Sequence, residues 1–322
     1  MKFFKALTLI LVVALLAVFA GGCGSSEYPG KNINVTIQYS PGGPTDMSVR
    51  GLLDTAGKNL PSGVSFIPAN KTGGGGLIGM TETANAKTDG YNIGVISVDV
   101  LMHHYLGKTD LTLENFDPIA CTMADPYGLV IKADAPYQTV DEFIEYARAN
   151  PGVVTVGNSA AGGAPHLAAL AFEKAFDLSF THVSYDGSAE CITAIAGGHL
   201  DATFTQPSPA KAQMDAGELK MIGILDEKRM ASFPDVPMVS ETQEIDFNMR
   251  GWVVVAAPKG LDEKQLAYLR ELFLGAVQTE EYAQVITNLG MQPIAMTLEQ
   301  VETMLKEDDV FYKELCADIE LG

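Results

Sequence analysis

The stretch VTIQYSPGGPTDMSVRGLL, Val35 to Leu53, runs from β-branched, strand-like residues into a helical spacing of apolar ones, and the two are separated by Pro41-Gly42-Gly43-Pro44-Thr45-Asp46. Gly42 and Gly43 allow backbone N–H groups to turn toward a ligand, and Pro41 and Pro44 stiffen the loop that begins at Tyr39. The helix that follows would present unpaired amides and the positive end of its dipole. Two readings stay open on this stretch alone. It is either a seat for an anion, or a tight turn in which Thr45 or Asp46 caps the helix.

Outward from this stretch, strand-like and helix-like segments alternate. The helical run carries Val49, Leu52, Leu53 and Ala56 on one face; VSFIPAN, a glycine loop, MTETANAKT and YNIGVIS follow. A second series starts near Tyr127. GLVIKAD reads as a strand, TVDEFIEYARAN opens on a capping box of Thr139 and Glu142, and VVTVGNSAAGGAPHLAALAFEKAF repeats the opening plan of strand, small-residue loop and helix. LDATFTQ and LKMIGIL read as further strands. From Arg250 come GWVVVAAP and three helical stretches, roughly Asp262 to Gln278, Thr279 to Asn288 and Thr297 to Asp318, the last with a Thr297/Gln300 box. Such alternation predicts sheets covered by helices, with ligands at the carboxyl ends of the strands. Two such edges facing each other make a cleft.

Composition is that of a globular chain: 322 residues, 47% hydrophobic and 19% charged. Lys2 and Lys5 precede an apolar block from Ala6 to Ala20, too short for the roughly 20 residues of a spanning helix and readable as a secretion signal. Ala20, Gly21 and Gly22 directly before Cys23 resemble the lipobox of bacterial lipoproteins, which implies removal of residues 1–22, acylation of Cys23 and a short tether, 23–27. Loss of Lys2 and Lys5 takes the formal charge from −19 to −21, which argues against nucleic-acid binding through a general field. Cys121, Cys191 and Cys316 are an odd set whose spacing suits neither disulfides nor a metal, and they read as small buried hydrophobes.

The loop NKTGGGGLIG contains a GxGxxG match at Gly74, Gly76 and Gly79, with Asp99 downstream where a dinucleotide site places its acid. The loop starts too far after the strand ending near Pro68, and an exported protein meets no nicotinamide supply, so a smaller anion or a flexible turn is expected instead. In GNSAAGGAPHL, Asn158 and Ser159 are neutral donors and Gly162 and Gly163 open the backbone; His166 either touches ligand or makes a structural hydrogen bond. His103 and His104 are adjacent and diverge, and no GxSxG or HExxH occurs. No enzyme, metal or cofactor is expected.

With these residues in view, the chain resembles the extracytoplasmic solute receptors of tripartite tricarboxylate transporters, the Bug-type family. YPGKNINVTIQYSPGGPTD, NKTGGGGLIG with TDGYNIGV, GNSAAGGAPHLA, SYDGSAECITAIAGGHLDATF, GELKMIGILDEKRMASFPDVPMVSE and RGWVVVAAPKG carry the resemblance in order along nearly the whole mature chain. It implies an α/β, two-lobed type II periplasmic-binding-protein fold, with lobe 1 at 28–126 plus 249–322 and lobe 2 at 127–248. It also implies a monomeric receptor that closes over a small carboxylate and serves one large and one small polytopic membrane protein. A sensor kinase or another permease as partner, and an amino acid or neutral ligand, are the alternatives. By position, Pro41, Gly42, Gly43, Thr45 and Asp46 would form the first ligand loop beside Tyr39, with Asn70, Gly75 and Ser97 near it. Ser159, Ala160, Gly163 and His166 would come from the second lobe together with Asn158, Tyr185, Gly187 and Asp201.

Overall fold

The computed structural model describes residues 28–159, 162–185, 187–245 and 248–317, with the backbone alone at Ser159. The leader, the tether, Cys23 and Ala160 lie outside the described residues. Strands β1 (Ile33–Ile37), β2 (Phe66–Asn70), β3 (Asn92–Ser97), β4 (Phe116–Pro126) and β10 (Arg250–Pro258) form one sheet, in the order β2-β1-β3-β10-β4. A second sheet holds β5 (Gly128–Lys132), β6 (Thr155–Ser159), β7 (Thr181–Tyr185), β8 (Ala202–Thr205) and β9 (Leu219–Ile224), in the order β7-β6-β8-β5-β9.

The two sheets share one plan. β1 pairs in parallel with β2 and β3, and β6 in parallel with β7 and β8. In each sheet a fourth strand then enters antiparallel, β10 between β3 and β4, and β5 between β8 and β9. That inserted strand is the one delivered by the chain as it crosses from the other lobe. Central strands covered on both faces need apolar residues at every position, and β3 and β10 are buried along almost their whole length while β1 alternates.

The crossings meet in a small knot of backbone. Tyr127 N donates to Met249 O at 2.8 Å, Met249 N to Leu225 O at 3.0 Å, and Leu225 N to Tyr127 O at 2.8 Å. Around it runs a continuous apolar core, from Ile96, Trp252 and Met304 of the first lobe through Tyr127 to Phe143, Phe172 and Phe204 of the second. Burying each such aromatic contributes about 2–3 kcal/mol, so the hinge is anchored in the core. Trp252 is fixed further by its Nε1, which donates to Asp308 Oδ2 at 2.8 Å.

Ten α-helices are described. Six follow parallel strands: α1 (Pro44–Gly57), α2 (Leu77–Ala84), α3 (Asp99–Tyr105), α5 (Ala164–Phe176), α6 (Ser188–Ala196) and α7 (Pro207–Asp215). The other four are α4 (Val140–Ala149), α8 (Glu263–Val277), α9 (Glu280–Asn288) and α10 (Leu298–Ala317). The capping box of α10 is reciprocal: Thr297 N donates to Gln300 Oε1 at 2.8 Å and Gln300 N to Thr297 Oγ1 at 3.3 Å. At α4 only half of the expected box forms, because Glu142 takes the N–H of Gln138 at 2.6 Å rather than that of Thr139. Among the described residues no helix is long and apolar enough to cross a membrane.

Candidate ligand cleft

The carboxyl ends of the parallel strands of both sheets face one cavity of about 1330 Å³. All six helices that follow those strands begin on its wall. Each lacks a side-chain cap, with Gly43, Gly76, Val98, Gly163, Gly187 and Gln206 at the N-cap positions. Their leading N–H groups are the unpaired amides of any helix start, and their dipoles add a positive field. Among the described lining residues, Lys108 and Asp99 are the lysine and the acid, and no arginine is present.

Loop 38–43 is held from behind. Asp46 is 2% exposed. Its carboxylate accepts from Gly42 N at 2.9 Å, Arg50 Nε at 2.8 Å and Asn70 Nδ2 at 2.9 Å. Gly42 makes this possible, because its φ of +80° turns its N–H back toward the helix. Burial alone would raise the Asp46 carboxyl, but the Gly42, Asn70 and Arg50 donors hold it below the ordinary carboxylate range. Asn70 also donates to Tyr39 O at 2.7 Å and accepts from Arg50 at 2.9 Å. Asp46 and Asn70 therefore brace the loop and do not line the cavity, and the helix is not capped by Thr45 or Asp46 as one reading of the sequence required.

The second glycine loop runs through Gly73, Gly74, Gly75 and Gly76 with φ of +125°, +59°, +64° and +92°, a succession that L side chains rarely adopt. His103 Nε2 lies 3.0 Å from Gly75 O, where a Cβ on Gly75 would come within 2.8 Å of the ring. On the same wall the Tyr39 hydroxyl donates to Asp99 Oδ2, lies 3.1 Å from Ser97 Oγ, and Ser97 Oγ donates to Asp99 Oδ2 at 2.9 Å. Burial, with Asp99 beside it, keeps the Tyr39 phenol protonated far above its usual pKa.

In the second lobe, Gly163, Tyr185 and Gly187 line the cavity, together with Ser184, Ser188 and Gln206. Two bonds reach across to the first lobe. Gln206 Nε2 donates to Gly251 O at 2.9 Å and Ser208 Oγ to Leu289 O at 2.8 Å. Of the residues expected at the site, Tyr39, Pro41, Gly42, Gly43, Thr45, Gly75, Ser97, Gly163, Tyr185 and Gly187 come together on the cavity wall.

Three others are placed elsewhere. Asn158 is fully buried, its Nδ2 2.9 Å from His182 Nδ1. His166 lies against His182, with ring centroids 4.9 Å apart and planes tilted by 60°, and accepts from Gly162 N at 2.9 Å. Burial, the neighbouring His182 and Lys108 push its pKa down to about 4 against the pull of Glu173, so at neutral pH it is an uncharged acceptor that shapes the loop. Asp201 stands at the amino end of β8, level with Thr155, and accepts from Thr155 N at 2.8 Å and Oγ1 at 2.7 Å. The ligand edge is the opposite end of that strand, beyond Thr205.

The polar wall residues that the sequence does not point to include Gln38, Asp99, His103, Ser184, Ser188 and Gln206. Gln38 follows β1, where period-two alternation assigns it to the polar face with Asn34 and Thr36. It is buried because α2 lies over it: a Cβ on Gly79 would come within 2.7 Å of Gln38 Cα. Asp99 was visible as the acid of the rejected dinucleotide pattern.

The family described as "Tripartite tricarboxylate transporter family receptor" matches residues 49–321. A curated relative, "UPF0065 protein in gbd 5'region" of Cupriavidus necator, is 30% identical over 309 residues, covering 92% of each chain. Among solved structures, a TctC solute-binding protein from Polaromonas is 30% identical, with a TM-score of 0.77 over 91% of this chain and 100% of that one. MatC from Rhodopseudomonas palustris, solved with bound malate, shares the fold at a TM-score of 0.78 and 22% identity over 90% of this chain and 100% of that one. The family match over residues 49–321 and the 30% identical relative together show that the chain belongs to the receptor family of the tripartite tricarboxylate transporters.

Proposed function

We propose that the protein captures a small organic carboxylate, a di- or tricarboxylate or a related acid, between its lobes and hands it to one large and one small membrane subunit of a tripartite transporter. An acyl chain on Cys23 would hold it at the outer face of the cell membrane. The observation that carries this reading is the convergence of six helix starts without side-chain caps on one cavity. Taking a carboxylate out of water costs several kcal/mol, and each hydrogen bond to a charged group returns about 1.5–3 kcal/mol, so three or four donors suffice. Backbone amides at Thr45 and Asp46, at 73–75 and at the α5 and α6 starts supply that number without arginine. They do so in a chain of formal charge −19 whose general field repels anions. Malate bound by a protein of the same fold is in keeping with this ligand class.

Thermal unfolding against a panel of di- and tricarboxylates, hydroxy acids and aromatic acids tests the reading. A ligand at 100-fold excess over its Kd adds about 2.7 kcal/mol of stability. A panel in which no carboxylate moves the midpoint would sink it.

A further inference from the structure

The cleft wall of the first lobe contains a polar group without a use. Gln38 is 0% exposed, it lines the cavity, and neither Nε2 nor Oε1 of its amide has a hydrogen-bond partner. A buried amide left unmatched at both atoms is destabilising and calls for a partner that the chain itself does not supply. Its surroundings define what that ligand must offer. A Cβ on Gly76 would lie 3.0 Å from Gln38 Cγ and 3.2 Å from Tyr39 Oη, so the Gln38 stem and the Tyr39 hydroxyl both border Gly76. Tyr39 Oη is in turn bonded to Asp99, whose Oδ2 also takes Ser97 Oγ. The Asp99 carboxylate is part of the cavity lining.

A second carboxylate placed here would face Asp99 and could use Gln38 Nε2 alone, leaving Oε1 unmatched against an anion. An ammonium would suit Asp99 and Oε1 but leave Nε2 without an acceptor. A primary carboxamide satisfies all of them, its NH₂ donating to Oε1 and to the Asp99 side and its C=O accepting from Nε2. We infer that Gln38, backed by the Tyr39–Ser97–Asp99 cluster, is a specificity-determining residue that reads an uncharged carboxamide at the far end of a carboxylate ligand. This rests on the carboxylate reading proposed above. It narrows the ligand from diacids to half-amides.

Length-matched ligands separate the two ideas in the full mature chain. Titration calorimetry would compare succinate, succinamate and 4-aminobutanoate, and the same trio at five and six carbons. At the best chain length the half-amide binds at least tenfold more tightly than the diacid and the amino acid. In Gln38→Leu, which fills the space without an amide, that preference falls at least tenfold. A diacid or amino acid bound as tightly as the half-amide overturns the inference and leaves the carboxylate reading standing. Absence of binding by every member overturns both. The wild-type comparison decides the matter even if the variant fails to fold.

Discussion

The ten described α-helices fall into two groups that differ at one position. Four start away from the cleft, and each has a side chain over its first turn: Thr139 on α4, Asp262 on α8, Thr279 on α9 and Thr297 on α10. Six start on the cleft, and none has one. Propensity does not explain the split, since a cap is worth about 1 kcal/mol wherever a helix begins. The cleft ends forgo that stabilisation and keep their amides for something else. What a helix start lacks is here more informative than what it contains.

The comparison can be tested from its most demanding point downward. Asp46 serves the cleft loop and not a helix cap, so Asp46→Ala leaves the Gly42 amide, Asn70 and Arg50 without their acceptor. It should cost about 3 kcal/mol in urea unfolding at pH 7 and abolish ligand binding. Because the Asp46 carboxyl is held below its ordinary value, its contribution is present above the unfolded pKa and is lost as pH falls through the folded one. Wild type and variant should therefore converge in stability in acid, below about pH 4. No loss of stability in the variant at pH 7 would mean that the loop holds its shape unaided.

Turning a cleft start into a capped one is the direct converse. Gly187 has an extended backbone, φ −167° and ψ 165°, and a Cβ there meets nothing within 4 Å. Gly187→Asp should stabilise the free protein by about 0.5–1 kcal/mol and weaken carboxylate binding by about 100-fold, or about 2.7 kcal/mol, measured by calorimetry. Retained affinity would break the link between open helix starts and ligand.

A smaller effect concerns charge near the hinge. Asp125 is fully buried on β4; its Oδ1 takes Gln292 N at 2.9 Å and its Oδ2 has no partner. Burial raises its carboxyl to about 7 against the Gln292 contact. The unfolded chain gives up that proton near pH 4, so from about pH 4 to 7 the folded state holds more protons and stability falls as pH rises. Asp125→Asn should be about 2 kcal/mol more stable than wild type at pH 8 and show a flatter profile. Asp308, raised to about 6 by burial against Arg250 and Trp252, leaves a residual slope of the same sign. An unchanged profile would place the titration elsewhere. The smallest change is expected from Thr139→Ala, which should lose about 1 kcal/mol with ligand affinity unaltered.

Much of this was legible in the order of residues. The Pro-Gly-Gly-Pro loop and its counterpart at Gly157 to Leu167 follow strands and precede helices, and that local order alone predicts two ligand edges. The three C-terminal helices could be bounded because Asp262, Thr279 and Thr297 are cap residues before apolar periods. The insertion of β5 and β10 between other strands was not legible, because pairing between strands distant in the chain leaves no local pattern. The family resemblance implies Asp201 at the site by position, yet a strand has two ends, and Asp201 stands at the amino end of β8, away from the cavity. Gln38 was missed for the opposite reason: alternation describes the strand correctly, and a helix from elsewhere then covers the polar face.

The sulfur atoms carry a practical consequence. Cys121, Cys191 and Cys316 are buried, and burial lifts their thiols to about 12, 11 and 11. Nucleophilic thiolate is therefore scarce at neutral pH, and a maleimide finds nothing to react with in the folded described chain. Cysteines engineered in pairs on opposite walls of the cleft would accept fluorophores or spin labels without removal of the native ones, giving a direct ruler for lobe separation. The same silence turns a simple thiol titration of cell-derived protein into an assay for its amino terminus: a lipid thioether at Cys23 leaves no reactive group, and an unmodified cysteine leaves one.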